Sequence, residues 1–497
     1  MKISELIAQK AASPTTATRI AVKQAHYALS YAELHEHVVS FASWLRTENP
    51  RVVALLADNS IDWLVADLAC ERAGIPLLPL PIFFTMAQMD HCLESAGADL
   101  LLSDGPMLPA FKTPHKPLTD STPGGLSAHR LTTKAADLPD HTAKITFTSG
   151  TTGKPKGVCL SVENQFSVAR SLADSIQLYG VAHLCMLPLS TLLENVAGAY
   201  ATWMVDGCVD LPSSQTRGLA GSSGLNAQQW LSYLSMTQPE SMILTPELLL
   251  VLSNAAKRQW QPPKSFKFIA VGGSRVAPQL LRESKALGLP VYQGYGLSEC
   301  GSVVALSTKD TPEDSVGRVL PHVQVRFEAT QAVITGNCFL GYLHDPNSWY
   351  QHEVVTEDLG HLDGEQLYID GRSSHLLITS YGRNISPEWV ESELMRHGLL
   401  RHCVVGGDAH PFLHALVTAP AQVSNQMIDR LIQSSNTELP DYARVRAWQR
   451  LDEANLAQFY TSNGRPQRAN IKQFFASEID AFYPNQHTKQ SASGVSI

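Results

Sequence analysis

Apolar residues between positions 30 and 45 recur at helical spacing. Leu34, Val38, Phe41, Ala42 and Leu45 share one face, and Ser30 with Glu33 makes a capping box ahead of them. An amphipathic helix is expected over 30–45. Residues 52–56 are a short apolar run bounded by charge and by Ala57-Asp58-Asn59, as in a buried strand. Residues 61–72 again show helical spacing, and 76–80 suit a strand or extended chain. Alternating strand and helix patterns favour α/β layers on a parallel sheet. Residues 103–140, richer in Pro, Ser, Thr and Asp, are expected to be a surface connection. The Ser/Gly-rich stretch 211–226 is expected to be a mobile loop, and the polar end 485–497 to be disordered.

The length, 497 residues, exceeds what one core organises, so at least two domains are expected. A net charge of −8 carries no basic footprint and argues against a nucleic-acid partner. Eight scattered cysteines without a CxxC pair suit buried free thiols in a reducing, cytoplasmic setting. The most apolar stretch, 74–89, is broken by Pro76, Pro79 and Pro81 and is too short to cross a bilayer. The N-terminus has no apolar run of signal-peptide length.

One segment adds chemistry. Thr148-Ser-Gly-Thr-Thr-Gly-Lys-Pro-Lys-Gly157 gathers four hydroxyls, three glycines and two lysines. Ile145 and Phe147 before it, and Val158 and Leu160 after it, alternate as strands do. A tight loop between strands follows. Backbone N–H groups, the hydroxyls of Thr148, Ser149, Thr151 and Thr152, glycines Gly150 and Gly153, and Lys154 would hold a polyphosphate. Only two residues separate Gly150 from Gly153, which excludes the common nucleotide-triphosphatase loop. A Gly/Thr surface turn is the plainer alternative.

Further along, Tyr292-Gln-Gly-Tyr-Gly-Leu-Ser-Glu299 sets Tyr295 between Gly294 and Gly296, where its ring could stack on a purine. Ser298 could donate to phosphate, and Glu299 offers Mg²⁺ a hard oxygen. Gly272, Gly273 and Ser274 end an apolar run and would let a flat ligand press on the backbone. Asp358 could accept ribose hydroxyls, with Arg372 completing the contacts, though each alone also reads as an ordinary turn and a surface arginine. Ser386, Pro387 and Glu388 suit a helix N-terminus. Asn463-Gly464-Arg465 with Arg468 forms a cationic turn near the end.

Five of these, in chain order (the Thr/Ser/Gly/Lys loop, the segment ending at Glu299, the segment around Asp358, the run from Arg372 to Pro387, and the Asn463–Arg468 turn), resemble the signature motifs of the adenylate-forming enzymes, a superfamily of acyl-CoA synthetases, peptide-synthetase adenylation domains and luciferases. The similarity runs from about residue 20 to residue 475. The runs Leu187-Pro-Leu-Ser-Thr-Leu-Leu-Glu194 and Ile378-Thr-Ser-Tyr-Gly-Arg-Asn-Ile-Ser-Pro387 are most similar to the fatty acyl-CoA synthetases. The resemblance implies a large multi-layer α/β domain, 1–373, and a small mobile α+β lid, 374–497. It implies ATP, Mg²⁺ and CoA, and a fatty or related acid activated to acyl-AMP and passed to a thiol. A carrier-protein phosphopantetheine is the alternative acceptor, and a non-catalytic nucleotide or acyl-AMP binder the alternative of another class. Arg465, Glu299 and Lys154 are the implied catalytic groups, Gly382 the contact for the thiol arm, and Ser374 the hinge. Three positions depart from the pattern: Arg465 stands for a lysine, Thr191 for a histidine, and Ser374 for an acidic or basic residue.

Overall fold

The computed structural model describes residues 1–105, 111–118, 122–148, 156–220, 224–380, 384–461 and 464–483. They form two compact units. One comprises 1–274, 281–356 and 361–368, and the other 275–280, 357–360 and 369 onward.

In the first unit the expected amphipathic helix spans Tyr31–Glu48, and its buried face is the anticipated set plus Tyr31. Glu33 N donates to Ser30 Oγ at 3.3 Å, and Ser30 N donates to the Glu33 carboxylate at 2.8 Å. Such a cap stabilises a helix by about 1 kcal/mol. Asn49 ends it in the left-handed region at φ 49°. The helix Ile61–Ala73 packs beside it and is buried almost all round, Trp63 included. Burial on nearly every side places apolar residues such as Trp63, Leu64, Val65 and Leu68 all round the helix rather than on one stripe.

Strands Val53–Leu56, Leu77–Pro79 and Leu100–Ser103 pair in parallel. Each is buried along its whole length, because layers cover both faces, so each reads as a continuous apolar run. Leu77–Pro79 also pairs with Lys144–Thr148, which brings the phosphate-loop hairpin into this sheet. The described residues of 103–140 differ from expectation. They contribute two strands, His115–Pro117 and Ser127–Leu131, which extend the sheet from the Leu100–Ser103 edge. Pairing to an existing edge, rather than an apolar pattern, makes these polar residues strands.

The larger sheet contains a parallel run through Ile20–Gln24, Cys208–Asp210, Ala182–Leu184, Ser241–Leu244, Phe268–Val271 and Val291–Leu297. Ser302–Leu306 then pairs antiparallel with Val291–Leu297. The stretch 211–226 was expected to be mobile. Among its described residues, however, Arg217 is buried at 1% exposure, donates to Met186 O at 2.8 Å and pairs with Asp58.

The second unit has a three-stranded sheet of His402–Gly406, Leu413–Thr418 and Val445–Arg450. Helices Pro387–Met395 and Asn425–Glu438 bury Val390, Leu394, Ile428 and Leu431 in its core. Mixed α/β architecture with a larger N-terminal and a smaller C-terminal part agrees with the sequence. All eight cysteines are free thiols, six of them buried. Among the described residues no helix is long and apolar enough to cross a membrane.

Candidate nucleotide and acid site

The strands around the Thr/Ser/Gly/Lys loop are present. Lys144–Thr148 and Lys156–Leu160 are antiparallel, and Thr148 lies opposite Lys156 at the loop's mouth. Ser149, Gly150, Thr151, Thr152, Gly153 and Lys154 lie outside the described residues. The incoming strand is held by a buried polar network. Lys144 Nζ pairs with Asp67 at 2.9 Å, both 2% exposed, and also donates to Asn195 Oδ1 and Tyr200 Oη. Asn195 Nδ2 and Tyr200 Oη each donate to Asp67 Oδ2, at 2.9 and 2.6 Å. Every charge there has partners, the condition for tolerating ions in a core. Burial, with Asp67 beside it, drives the Tyr200 hydroxyl far above its usual pKa and keeps it a donor.

Asn195 and Tyr200 lie on a π-helical segment, Leu193–Tyr200, which begins within the Leu187–Glu194 motif. Such segments are often functional. Glu194 accepts from Leu187 N at 2.7 Å and meets His183 Nε2 at 2.8 Å, while His183 Nδ1 meets Ser241 Oγ at 3.0 Å. Cys185 completes a group of close donor atoms. Burial, reinforced by Glu194, pushes its thiol well up, so it stays protonated. Thr191, where the family pattern has histidine, turns its hydroxyl back to Pro188 O at 2.8 Å.

Ligands of α/β sheets gather beyond the carboxyl ends of parallel strands. Two motifs lie there. Phe268–Val271 runs into Gly272, Gly273 and Ser274, with Gly273 at φ 90° and open space where a Cβ would be. Val291–Leu297 runs into a 3₁₀ turn, Ser298–Cys300. At Gly296 a Cβ would collide with the Ser302 carbonyl, so glycine is obligatory. At Gly294 the nearest atom would be 3.7 Å away, so it is not. Tyr295 is half-buried against the core rather than fully displayed, which presents only part of its ring.

Glu299 is half-buried, and Tyr342 Oη donates to its Oε1 at 2.8 Å. The Tyr342 ring lies 5.3 Å from Lys156 Nζ, a cation–π distance. Loop mouth, Tyr342 and Glu299 are thus in direct succession. A carboxylate fixed by one hydroxyl retains an oxygen for a hard cation, so the residues present fit Mg²⁺. Tyr342 belongs to a two-residue strand, Gly341–Tyr342, paired with Lys156–Leu160, and nothing in the linear pattern singles it out.

In the second unit Asp358 and Arg372 meet. Asp358 is buried and accepts from Arg372 Nε at 2.8 Å. Ser374 Oγ donates to Glu357 at 2.8 Å. Ser386 occupies the N-cap position ahead of Pro387, but its hydroxyl donates to Glu388 at 3.0 Å instead of capping the helix as expected. Gly382 lies outside the described residues. Arg465 is exposed on a turn closed by Thr461 N to Arg465 O at 2.7 Å and Gly464 N to Thr461 O at 2.8 Å.

The AMP-binding enzyme family matches residues 8–332, and the AMP-binding enzyme C-terminal domain matches 374–487. The chain belongs to the AMP-binding enzyme family. It is an AMP-forming acid–thiol ligase. It is 25% identical to the 2-succinylbenzoate–CoA ligase of Staphylococcus epidermidis over 91% of this chain and 94% of that one. Long-chain-fatty-acid–CoA ligase FadD15 of Mycobacterium bovis is 23% identical over 79% and 76% of the two chains. Among solved structures, the anthranilate CoA ligase AuaEII with anthranoyl-AMP aligns at TM-score 0.78 and 16% identity, covering 97% of this chain and 98% of that one. The o-succinylbenzoate CoA synthetase of Bacillus subtilis with AMP aligns at 0.74 and 23% identity, covering 94% and 98%. These likenesses establish a shared fold.

Proposed function

We propose that the protein uses Mg·ATP to convert a carboxylic acid to its acyl-adenylate, releasing pyrophosphate, and then passes the acyl group to the thiol of CoA, releasing AMP. The succession from the loop mouth through Lys156 and Tyr342 to Glu299 is the observation that carries this reading. A carboxylate is already nucleophilic at neutral pH, so its attack on the α-phosphorus needs no general base. Positioning and charge neutralisation are what the protein supplies. Glu299 would hold Mg²⁺, whose contribution is to neutralise phosphate charge. Residues 149–154 and Ser298 are proposed to hold the phosphates, Tyr295 and the Gly273–Ser274 turn the base, and Asp358 with Arg372 the ribose. Arg465 is proposed as the adenylation cation, Ser374 as the hinge between 1–373 and 374–497, and Gly382 as the contact for the thiol's arm. The free thiols favour a reducing, cytoplasmic setting.

The preferred acid is aromatic. Succinylbenzoate recurs in the names of the related ligases and favours an aromatic acid over the fatty acid expected from the sequence, although a long-chain-fatty-acid–CoA ligase is also among the relatives. A pyrophosphate-release assay over aromatic and fatty acids tests this, followed by CoA or a holo carrier protein as acceptor. Aromatic acids should give the highest kcat/KM, with CoA accepting. A preference for fatty acids would reverse the choice of substrate. Silence with every acid would sink the proposal.

A further inference from the structure

Arg468 follows the proposed adenylation cation by three residues and opens the helix Arg468–Phe474. Its guanidinium forks onto one carboxylate: NH1 donates to Glu391 Oε1 and NH2 to Glu391 Oε2, both at 2.7 Å. NH2 also reaches Glu388 Oε1 at 3.2 Å. The side chain is 16% exposed. Glu391 and Glu388 stand on the first turns of the helix Pro387–Met395, and Glu391 also accepts from Val405 N at 2.8 Å, which ties that helix to the sheet. Glu388 has a second partner, His375 Nδ1 at 2.5 Å, one residue beyond Ser374. Residues 459–461 pair back onto 464–467, with Gln467 N donating to Phe459 O at 2.8 Å and Tyr460 bridging Pro466. Arg465 stands within this doubled-back turn.

A bidentate guanidinium–carboxylate pair is directional and strong, and it orients whatever the arginine is attached to. Here that is the base of the Arg465 turn. Gly464, at φ 73° with open space around it, offers the turn little rigidity of its own. We propose that Arg468 is a positioning residue for adenylation. Its fork onto Glu391 fixes the turn that presents Arg465, and its link through Glu388 to His375 ties that turn to the segment carrying Ser374. The proposal rests on Arg465 being the adenylation cation. Burial works against the charge of Arg468, but Glu391 and Glu388 outweigh it and raise the pKa above the ordinary arginine value, so the fork stays charged at any working pH.

The test compares Arg468→Gln, Arg468→Lys and the gentler Glu391→Gln in the full-length protein. Acyl-AMP formation and CoA-thioester formation from supplied acyl-AMP are measured separately. Arg468→Gln should lower kcat for adenylation by roughly 10–100-fold, the loss typical of a misplaced catalytic group. KM for ATP and acid should hold, the second half-reaction should be spared, and Arg468→Lys should recover part of the loss. In an Arg465→Ala background, Arg468→Gln should add nothing, because it acts through Arg465. Equal losses in both half-reactions, or a full additional loss in the Arg465→Ala background, overturn the proposal. Hydrogen exchange gives an arm independent of turnover. Amides at 459–467 should exchange faster in both Arg468→Gln and Glu391→Gln while the helix Asn425–Glu438 stays protected, and unchanged exchange at 459–467 also overturns it. A wild type that activates no acid refutes the proposed function, and exchange still reads the tether.

Discussion

Glu299 and Arg465 illustrate how differently single residues reveal themselves. Glu299 is a carboxylate with an identified orienting partner, Tyr342 Oη. Glu299→Gln should leave the fold intact and raise the Mg²⁺ requirement of adenylation. Wild-type turnover at limiting Mg²⁺ would show that another group binds the cation. Tyr342→Phe removes only the orienting bond, worth roughly 1 kcal/mol, and should cost about fivefold in kcat/KM. For Arg465, only its place in the order of motifs marks the role. Arg465→Ala should cut acyl-AMP formation to a small residual rate and spare thioester formation from supplied acyl-AMP. Arg465→Lys should keep substantial activity, since the charge survives without the planar fork. Acyl-AMP formation by Arg465→Ala at the wild-type rate would make the residue a bystander.

At the scale of elements, the strand Val291–Leu297 is the sharpest case. Two glycines flank Tyr295 in the sequence, and the two look equivalent there. Pairing with Ser302–Leu306, with an irregular register between Tyr295 and Gly296, makes them unequal. Gly296→Ala should destabilise the protein by about 1–3 kcal/mol, since a Cβ there meets a backbone carbonyl that cannot step aside. Gly294→Ala should be nearly neutral. Thermal melts of the two variants decide the matter, and equal losses would show that the strand yields. Ser386 makes a related point. The residue type suits a cap, but Glu388 two positions on takes the hydroxyl and is itself engaged by His375 and Arg468. Against the upward push of burial, these partners hold the Glu388 carboxyl down at about 2.

For the whole molecule, two histidines with depressed pKa values contribute to the acid response. Burial pushes His322 down to about 4, and His414 is held at about 4 by burial with His410 and Lys472 nearby. Both stay neutral in the fold while the unfolded chain takes up protons near pH 6.5. A depressed folded value means their contribution is complete above pH 6.5 and is lost as pH falls toward 4, by up to about 1.4 kcal/mol per unit for each. Denaturation curves at pH 7 and pH 5 should show the loss, and His414→Gln should flatten it. An unchanged midpoint between those pH values would exclude these histidines as the cause.

Local pattern was enough for the capped helix Tyr31–Glu48, the buried strand Val53–Leu56 and the hairpin around the Thr/Ser/Gly/Lys loop, because caps, periodicity and strand alternation act over a few residues. Motif order was enough for the family. Other features arise only when distant segments meet. The strands His115–Pro117 and Ser127–Leu131 exist because an edge was available to pair with. Arg217 is buried in a Ser/Gly-rich stretch because Asp58 and Met186 O receive it. The Asp67–Lys144 pair spans 77 positions of sequence, and Glu299 and Tyr342 are 43 apart. No short-range rule encodes such pairings. Burial removes the water that would otherwise satisfy these charges and hydroxyls, and only the folded chain determines which partner replaces it.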